Sequence, residues 1–334
     1  MKRLIPILIL FVFLQVSYAQ NITVKDYLLL GVDAAQDLMS KYTEPADEGL
    51  IYAITGGWYN DARVLDKWGM DISLVTNGSF VPSEKKIYRL DVSRFDNLEI
   101  VGGGDSVDIP TIIGDTKSSV RLAAILDDER FEFDVPTGIT GLADINLLPS
   151  AFLQFRMGIP YGTEIKLRYF PKLNIDNSEL GMHGAAIQHQ ISNWIEPIKE
   201  SMFAVSGIVA YTAINADYEF QTGGFVSGTG QHIDFDYDSW LFEMIVSTKY
   251  PKYNAYGGLG YITGTSDVAM KGTYVIETQQ QTRTFSDPFV IGNNVSGLRA
   301  NIGGKASFGR FSINIDYTFQ GYNNLSLGFN YNIR

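Results

Sequence analysis

The sequence predicts an all-β fold, a transmembrane antiparallel β-barrel of about 14 strands (12–16), with a short N-terminal amphipathic helix. Three observations predict it. Apolar and polar residues alternate over many segments of roughly ten residues, the length of a tilted membrane-spanning strand. An export address stands at the N-terminus. Aromatics recur near the ends of the alternating segments, where interfacial girdles require them. Composition agrees: 334 residues carry 20 Phe, 19 Tyr and 33 Gly, with 19% charged residues and no Cys. Without Cys there is no disulfide framework, thiolate metal cluster, catalytic cysteine or cysteine-linked lipid anchor. A formal net charge of −11 excludes a basic nucleic-acid footprint.

Residues 1–19 read as a signal peptide. Lys2 and Arg3 form its positive region, Leu4 to Leu14 its apolar core, and Ser17-Tyr18-Ala19 a small-residue cleavage site before Gln20. That core, interrupted by Pro6, falls short of the roughly 20 residues a membrane helix needs. No later stretch reads as a transmembrane helix, so a membrane contact would be made by a closed barrel.

Residues 20–48 form the helix or plug segment. Thr23 would cap a helix from about Val24 to Tyr42, with Asp26 in its first turn and Pro45 past its end. Leu28, Val32, Ala35 and Met39 recur at helical spacing, as a packing cap or as a plug in or beneath the barrel.

From Gly49 onward the period is two, so the barrel is expected over 49–334. Candidate strands fall near 50–59, 68–81, 86–92, 117–125, 150–159, 163–171, 180–190, 201–213, 215–223, 238–249, 253–263, 266–277, 294–307, 309–320 and 323–333. The last two are cleanest: Phe311, Ile313, Ile315, Tyr317 and Phe319 oppose Ser312, Asn314, Asp316 and Thr318. A soluble sandwich alternates too. Charges of both signs in mid-strand and aromatics such as Trp58, Tyr59, Trp68, Tyr169, Tyr211, Trp240 and Tyr331 favour the membrane barrel. Candidate lumen-lining residues are Glu164, Lys166, Arg168, Arg299, Lys305, Arg310 and Asp316. Asn97 to Val135, with its three successive glycines, resists assignment and reads as a loop over or into the lumen.

Motifs of known chemistry are missing: neither HExxH nor G-x-S-x-G occurs. His183 and His189 share a strand face about 20 Å apart at ~3.3 Å per residue, too far to chelate one ion. Asp234, Asp236 and Asp238 read as an acidic strand extension rather than a Ca²⁺ site. Ser192 to Lys199 reads as an interfacial turn with Trp194 as its anchor. No catalytic or metal-ligating residue and no cofactor is expected.

Three stretches, in this order, resemble an uncharacterised outer-membrane barrel family of Bacteroidota-type bacteria, a domain of unknown function. They are Gly56-Gly57-Trp58-Tyr59-Asn60 with Gly69-Met70-Asp71; Leu148-Pro149 with Arg168-Tyr169-Phe170-Pro171; and Gly181 to His189 with Trp194-Ile195 and Pro197. The arrangement is distantly similar to the long-chain fatty acid transporter barrels, where an N-terminal segment plugs about fourteen strands. The Asn-Pro-Ala signature of that group is replaced here by Ala46-Asp47-Glu48-Gly49, which leaves the ligand class open. The resemblance implies an outer-membrane location and a barrel fold; the expected function is to bind or pass small apolar molecules through a plugged lumen. The alternatives are a structural barrel scaffolding an envelope or secretion complex and, third, an outer-membrane hydrolase. The expected partners are outer-membrane lipid and a small hydrophobic ligand, with no nucleic acid and no protein partner that the sequence names.

Overall fold

A computed structural model describes residues 31–126, 129–139, 146–175, 178–219, 227–277 and 282–334. The signal peptide and Leu28 lie outside the described residues. Ten strands close into one antiparallel barrel. They are β1 (Met70–Phe80), β7 (Leu147–Ile159), β8 (Thr163–Ile175), β9 (Ser178–His189), β10 (Phe203–Glu219), β11 (Ser227–Thr248), β12 (Tyr253–Glu277), β14 (Phe289–Phe308), β15 (Phe311–Phe319) and β16 (Asn324–Asn332). Neighbours in sequence pair around the wall, β1 pairs with β16 at the seam, and β11–β12 completes the circle. A further strand, β13 (Thr282–Ser286), pairs only with the overhanging part of β12.

Ten replaces the fourteen expected from the sequence, for three reasons. Residues 50–59 end a helix. The segments near 86–92 and 117–125 belong to two small sheets outside the barrel, β2 (Ile87–Asp91) with β4 (Ser106–Pro110), and β3 (Leu98–Ile100) with β5 (Arg121–Leu126) and β6 (Glu129–Asp134). Two pairs of candidates, 201–213 with 215–223 and 253–263 with 266–277, are single long strands. Polar residues such as Asn215 and Ser266 mimic turns, but there the chain stays extended.

Outward and inward faces follow the pleat. On β15, Ser312, Asn314, Asp316 and Thr318 are buried inside while Phe311, Ile313, Ile315 and Phe319 are exposed outside. No helix among the described residues is long and apolar enough to cross a membrane. One mouth of the barrel carries the short connections at 160–162, 249–252 and 309–310. The other carries the long excursion 81–146 with the small sheets.

The helix α1 (Val32–Ile54) ends twelve residues later than expected, with Pro45 inside it rather than beyond it; the expected cap Thr23 and start at Val24 lie outside the described residues. Gln36 donates to the Val290 carbonyl at 3.1 Å, which holds its first half at the long-loop mouth. There Ala34, Ala35 and Leu38 pack with Leu90, Leu98, Ile109 and Leu122 of the small sheets and with Val268 and Ile291 of the overhanging wall. The described residues of the stretch Asn97 to Val135 are therefore part of a dome over that mouth. The second half of α1 descends into the barrel, where Ile51 and Ile54 join a separate core. From Thr55 the chain continues as an irregular thread of turns and bends to Trp68, whose N–H donates to the Gly158 carbonyl at 2.8 Å at the short-turn mouth.

Candidate functional site in the lumen and wall

The last carbonyls of a helix have no intrahelical partner and carry its negative dipole end. Two arginines from opposite walls bond carbonyls at and just past the end of α1. Arg168 on β8 donates to the Ile54 and Gly56 carbonyls at 2.9 and 2.7 Å, and Arg299 on β14 donates to the Thr55 carbonyl at 3.1 Å. Asn77 on β1 adds a bond to the Ala53 carbonyl at 3.3 Å. The Arg168 guanidinium lies between the Trp58 and Phe152 rings, 3.6 and 4.0 Å from their centres. Such a cation–aromatic sandwich is favoured where water is excluded.

Room for the thread is made by glycine. A Cβ on Gly184 would meet Trp58 at 3.2 Å, and one on Gly258 would meet the Tyr59 hydroxyl at 2.2 Å. Tyr59 donates to Glu243 at 2.7 Å, and Lys166 donates to the Trp58 carbonyl at 2.9 Å. Below them, Arg156 pairs with Asp71 at 3.2 Å and with Glu164 at 3.6 Å, and Lys166 pairs with Glu164 at 3.2 Å. Trp58 and Tyr59, read from sequence as interfacial aromatics, are thus buried inside.

The structure places Glu164, Lys166, Arg168, Arg299 and Asp316 on the inner wall, all buried, and Lys305 there too, donating to Asn60 at 3.1 Å. Arg310 is a correction: it sits in the β14–β15 turn, exposed at the barrel end, because its strand begins one residue later. Of the helix residues, Val32, Ala35 and Met39 pack into the dome and not the lumen. The lumen is occupied instead by residues from Ile51 to about Leu65, of which the period of two gives 51–59 to a strand.

One part of the wall is unpaired. The β7–β8 ladder runs from Ile159 opposite Thr163 to Leu153 opposite Tyr169 and stops. Both strands continue, β7 along β1 up to Leu147 and β8 along β9 up to Ile175 with a bulge after Phe170. Leu147–Phe152 and Phe170–Ile175 therefore face each other without a ladder. Each edge carries a proline, Pro149 and Pro171, which has no N–H to give a neighbouring strand. Beside this gap lies a cavity of about 300 Å³ with almost wholly apolar walls. Leu50 of α1, Phe170, Met182 and Ile214 line it from within the barrel. Thr76, Phe80, Leu325 and Leu327, on the outward faces of β1 and β16, line it from without. A cavity bounded by both faces of the wall opens through the wall.

A model of the family of unknown function DUF6588 matches residues 1–333. The chain belongs to that family. None of the curated proteins matches this DUF6588 chain. Solved structures similar to it are distant. The attachment invasion locus protein Ail of Yersinia pestis, in complex with the heparin analogue sucrose octasulfate, is 9% identical, with 80% of this chain and 99% of that chain covered and a TM-score of 0.29. The translocator domain of the autotransporter NalP from Neisseria meningitidis is 13% identical, covering 89% and 98%, at a TM-score of 0.27. The Pseudomonas putida toluene transporter TodX is 7% identical, covering 79% and 89%, at a TM-score of 0.15.

The remaining polar features of the DUF6588 barrel lie elsewhere. His189 bridges Thr163 and Trp194: the indole N–H donates to Nε2 at 2.9 Å, so the neutral ring's Nδ1–H faces the Thr163 hydroxyl at 2.9 Å. Trp194 itself is exposed at the short-turn mouth, stacked on that ring. Asp234, Asp236 and Asp238 lie on the β11 overhang, where Asp238 accepts from Thr265 at 2.6 Å. No group of three or more metal-ligating side chains occurs among the described residues. Sequence reasoning missed the cavity, although the two prolines in otherwise alternating segments were a signal for unpaired edges.

Proposed function

We propose that this protein is an outer-membrane barrel that binds a small apolar molecule in the wall cavity, reached from the lipid side, while the lumen itself stays shut. The observation that carries the reading is the apolar cavity opening through the unpaired stretch of the wall. Its volume stands at the lower end of the range for ligand pockets. Support for the membrane setting comes from an inside-out distribution. At mid-barrel Leu298, Leu259 and Ile302 are 81%, 70% and 64% exposed on the outer face, while the charges opposite them are buried within. A contiguous apolar belt of this kind is costly in water and suits hydrocarbon. By the usual pattern of short periplasmic turns, the domed mouth faces outward.

The test is equilibrium binding of radiolabelled naphthalene to the protein in lipid nanodiscs, with empty nanodiscs subtracted. Saturable binding is expected, and Met182→Trp, which fills the cavity, is expected to weaken it about tenfold or more. Absence of saturable binding overturns the reading. In that case a stoichiometric protein partner in gentle-detergent co-purification would favour the scaffold role.

A further inference from the structure

Three wall strands begin at the short-turn mouth with a cation followed by an exposed aromatic. The pairs are Lys67-Trp68 just ahead of β1, Lys252-Tyr253 at the start of β12 and Arg310-Phe311 at the start of β15. In the wall order β1–β16–β15–β14–β12 these are successive strands rising from that mouth, so the pairs form one continuous arc of the rim. Lys67 Nζ lies 5.9 Å from the centre of the Trp68 ring, and Lys252 Nζ lies 5.4 Å from that of Tyr253. The ion pairs of this rim, Arg63 with Asp61 at 2.7 Å and Lys199 with Glu196 at 3.1 Å, leave Lys67, Lys252 and Arg310 unpaired among the described residues. Lys249 is engaged by the Ile198, Lys199 and Ser201 carbonyls. Against these cations the arc sets one exposed acid among the described residues, Asp66.

The pattern stops at the ends of the arc. Strands β8 and β10 rise from the same mouth after Gly162 and Met202, and the β9–β10 connection carries exposed Glu196 and Glu200. At the opposite mouth the outward face is acidic: Asp217 stands opposite Glu179 and Asp234, and Asp236 stands opposite Asp267. Charge is thus sorted between the two mouths of a chain whose formal net charge is −11.

We propose that this arc of the rim binds the phosphates of anionic phospholipids in the leaflet beside the short turns. The proposal rests on the membrane setting above and is independent of the wall cavity. Exposed aromatics at a strand end sit at headgroup depth, which fixes the depth of the cation next to each one. The lysines meet a phosphate as point charges and Arg310 meets it with its planar fork. Each such contact enriches an anionic lipid about fivefold at low salt. A soluble anion would gain nothing from the aromatic partners.

Trp68 reports on the arc directly. In the Trp194→Phe/Trp240→Phe background it is the one indole at the lipid surface, since Trp58 is buried in the lumen. The protein is reconstituted in phosphatidylcholine bilayers containing a minor fraction of brominated lipid, either phosphatidylglycerol or phosphatidylcholine, and quenching of Trp68 is compared. Brominated phosphatidylglycerol is expected to quench as though enriched about fivefold, less in high salt. Lys67→Gln combined with Lys252→Gln and Arg310→Gln is expected to remove the difference while leaving the folded gel mobility intact. Equal quenching by the two lipids, or a preference that survives the triple substitution, overturns the proposal. So does a preference abolished by inorganic phosphate at constant ionic strength, which would assign the cations to a soluble anion. Absence of quenching by either lipid overturns the membrane setting itself.

Discussion

At the scale of single residues, the lumen is organised by what the end of a helix lacks. Arg168 meets three needs at once: it gives donors to the carbonyls of Ile54 at the end of α1 and Gly56 just past it, it bonds Gln154 at 2.9 Å, and it fills the space between two aromatic rings. Arg168→Met keeps much of the volume but removes every donor. Unfolding in urea, followed by loss of the folded gel mobility, is expected to show a destabilisation of about 3 kcal/mol, as for other broken buried polar networks. Arg168→Lys is expected to rescue little of it, because an ammonium cannot reach two carbonyls in the planar fork geometry. Part of this was legible beforehand. Alternation alone puts Glu164, Lys166 and Arg168 on one face, and a charge in mid-strand of a membrane barrel has to face inward. Arg310 shows where that logic ends: pleat parity says which side of a strand a residue takes, but not where the strand stops.

At the scale of elements, the sequence is clear wherever local period decides and silent wherever tertiary contacts do. The alternation of β15 and β16 is unmistakable because one face meets lipid-like surroundings and the other meets polar neighbours. The end of α1 is hidden, since Gly49-Leu50-Ile51-Tyr52 has no strong helical stripe: it is apolar on all sides because it is enclosed on all sides. The thread after it has no period at all; its backbone is satisfied by Arg168, Lys166, Gln188 and Glu164 from four positions on the wall. The β7–β8 gap makes a prediction at this scale. Amides of Leu147–Phe152 that would have served that ladder lack strand partners there, so hydrogen exchange in detergent is expected to be faster over 147–152 than over 153–159. Uniform protection along β7 would mean that the wall is closed.

At the scale of the whole molecule, barrel and closure were legible but circumference was not. Strand number depends on which alternating segments share one ladder, and that information lies in pairing partners up to 261 residues apart, as between Asp71 and Asn332. The ten-strand barrel is narrow enough for one thread and its inward side chains to fill it. In planar bilayers the wild-type protein is therefore expected to show no steady open-pore current, whereas Trp58→Ala combined with Arg168→Met is expected to give a leak. A large, steady wild-type conductance would contradict the filled lumen.

The thread has one more consequence, for the order of assembly. Its two ends are held at opposite mouths, by the dome at one and by direct continuation into β1 at the other. Such a strap is expected to lie across the open sheet before β1 meets β16, with the seam the last door to shut. The arginines, glycines and carboxylates that later fasten the strap are then also the surface on which the sheet curls around it.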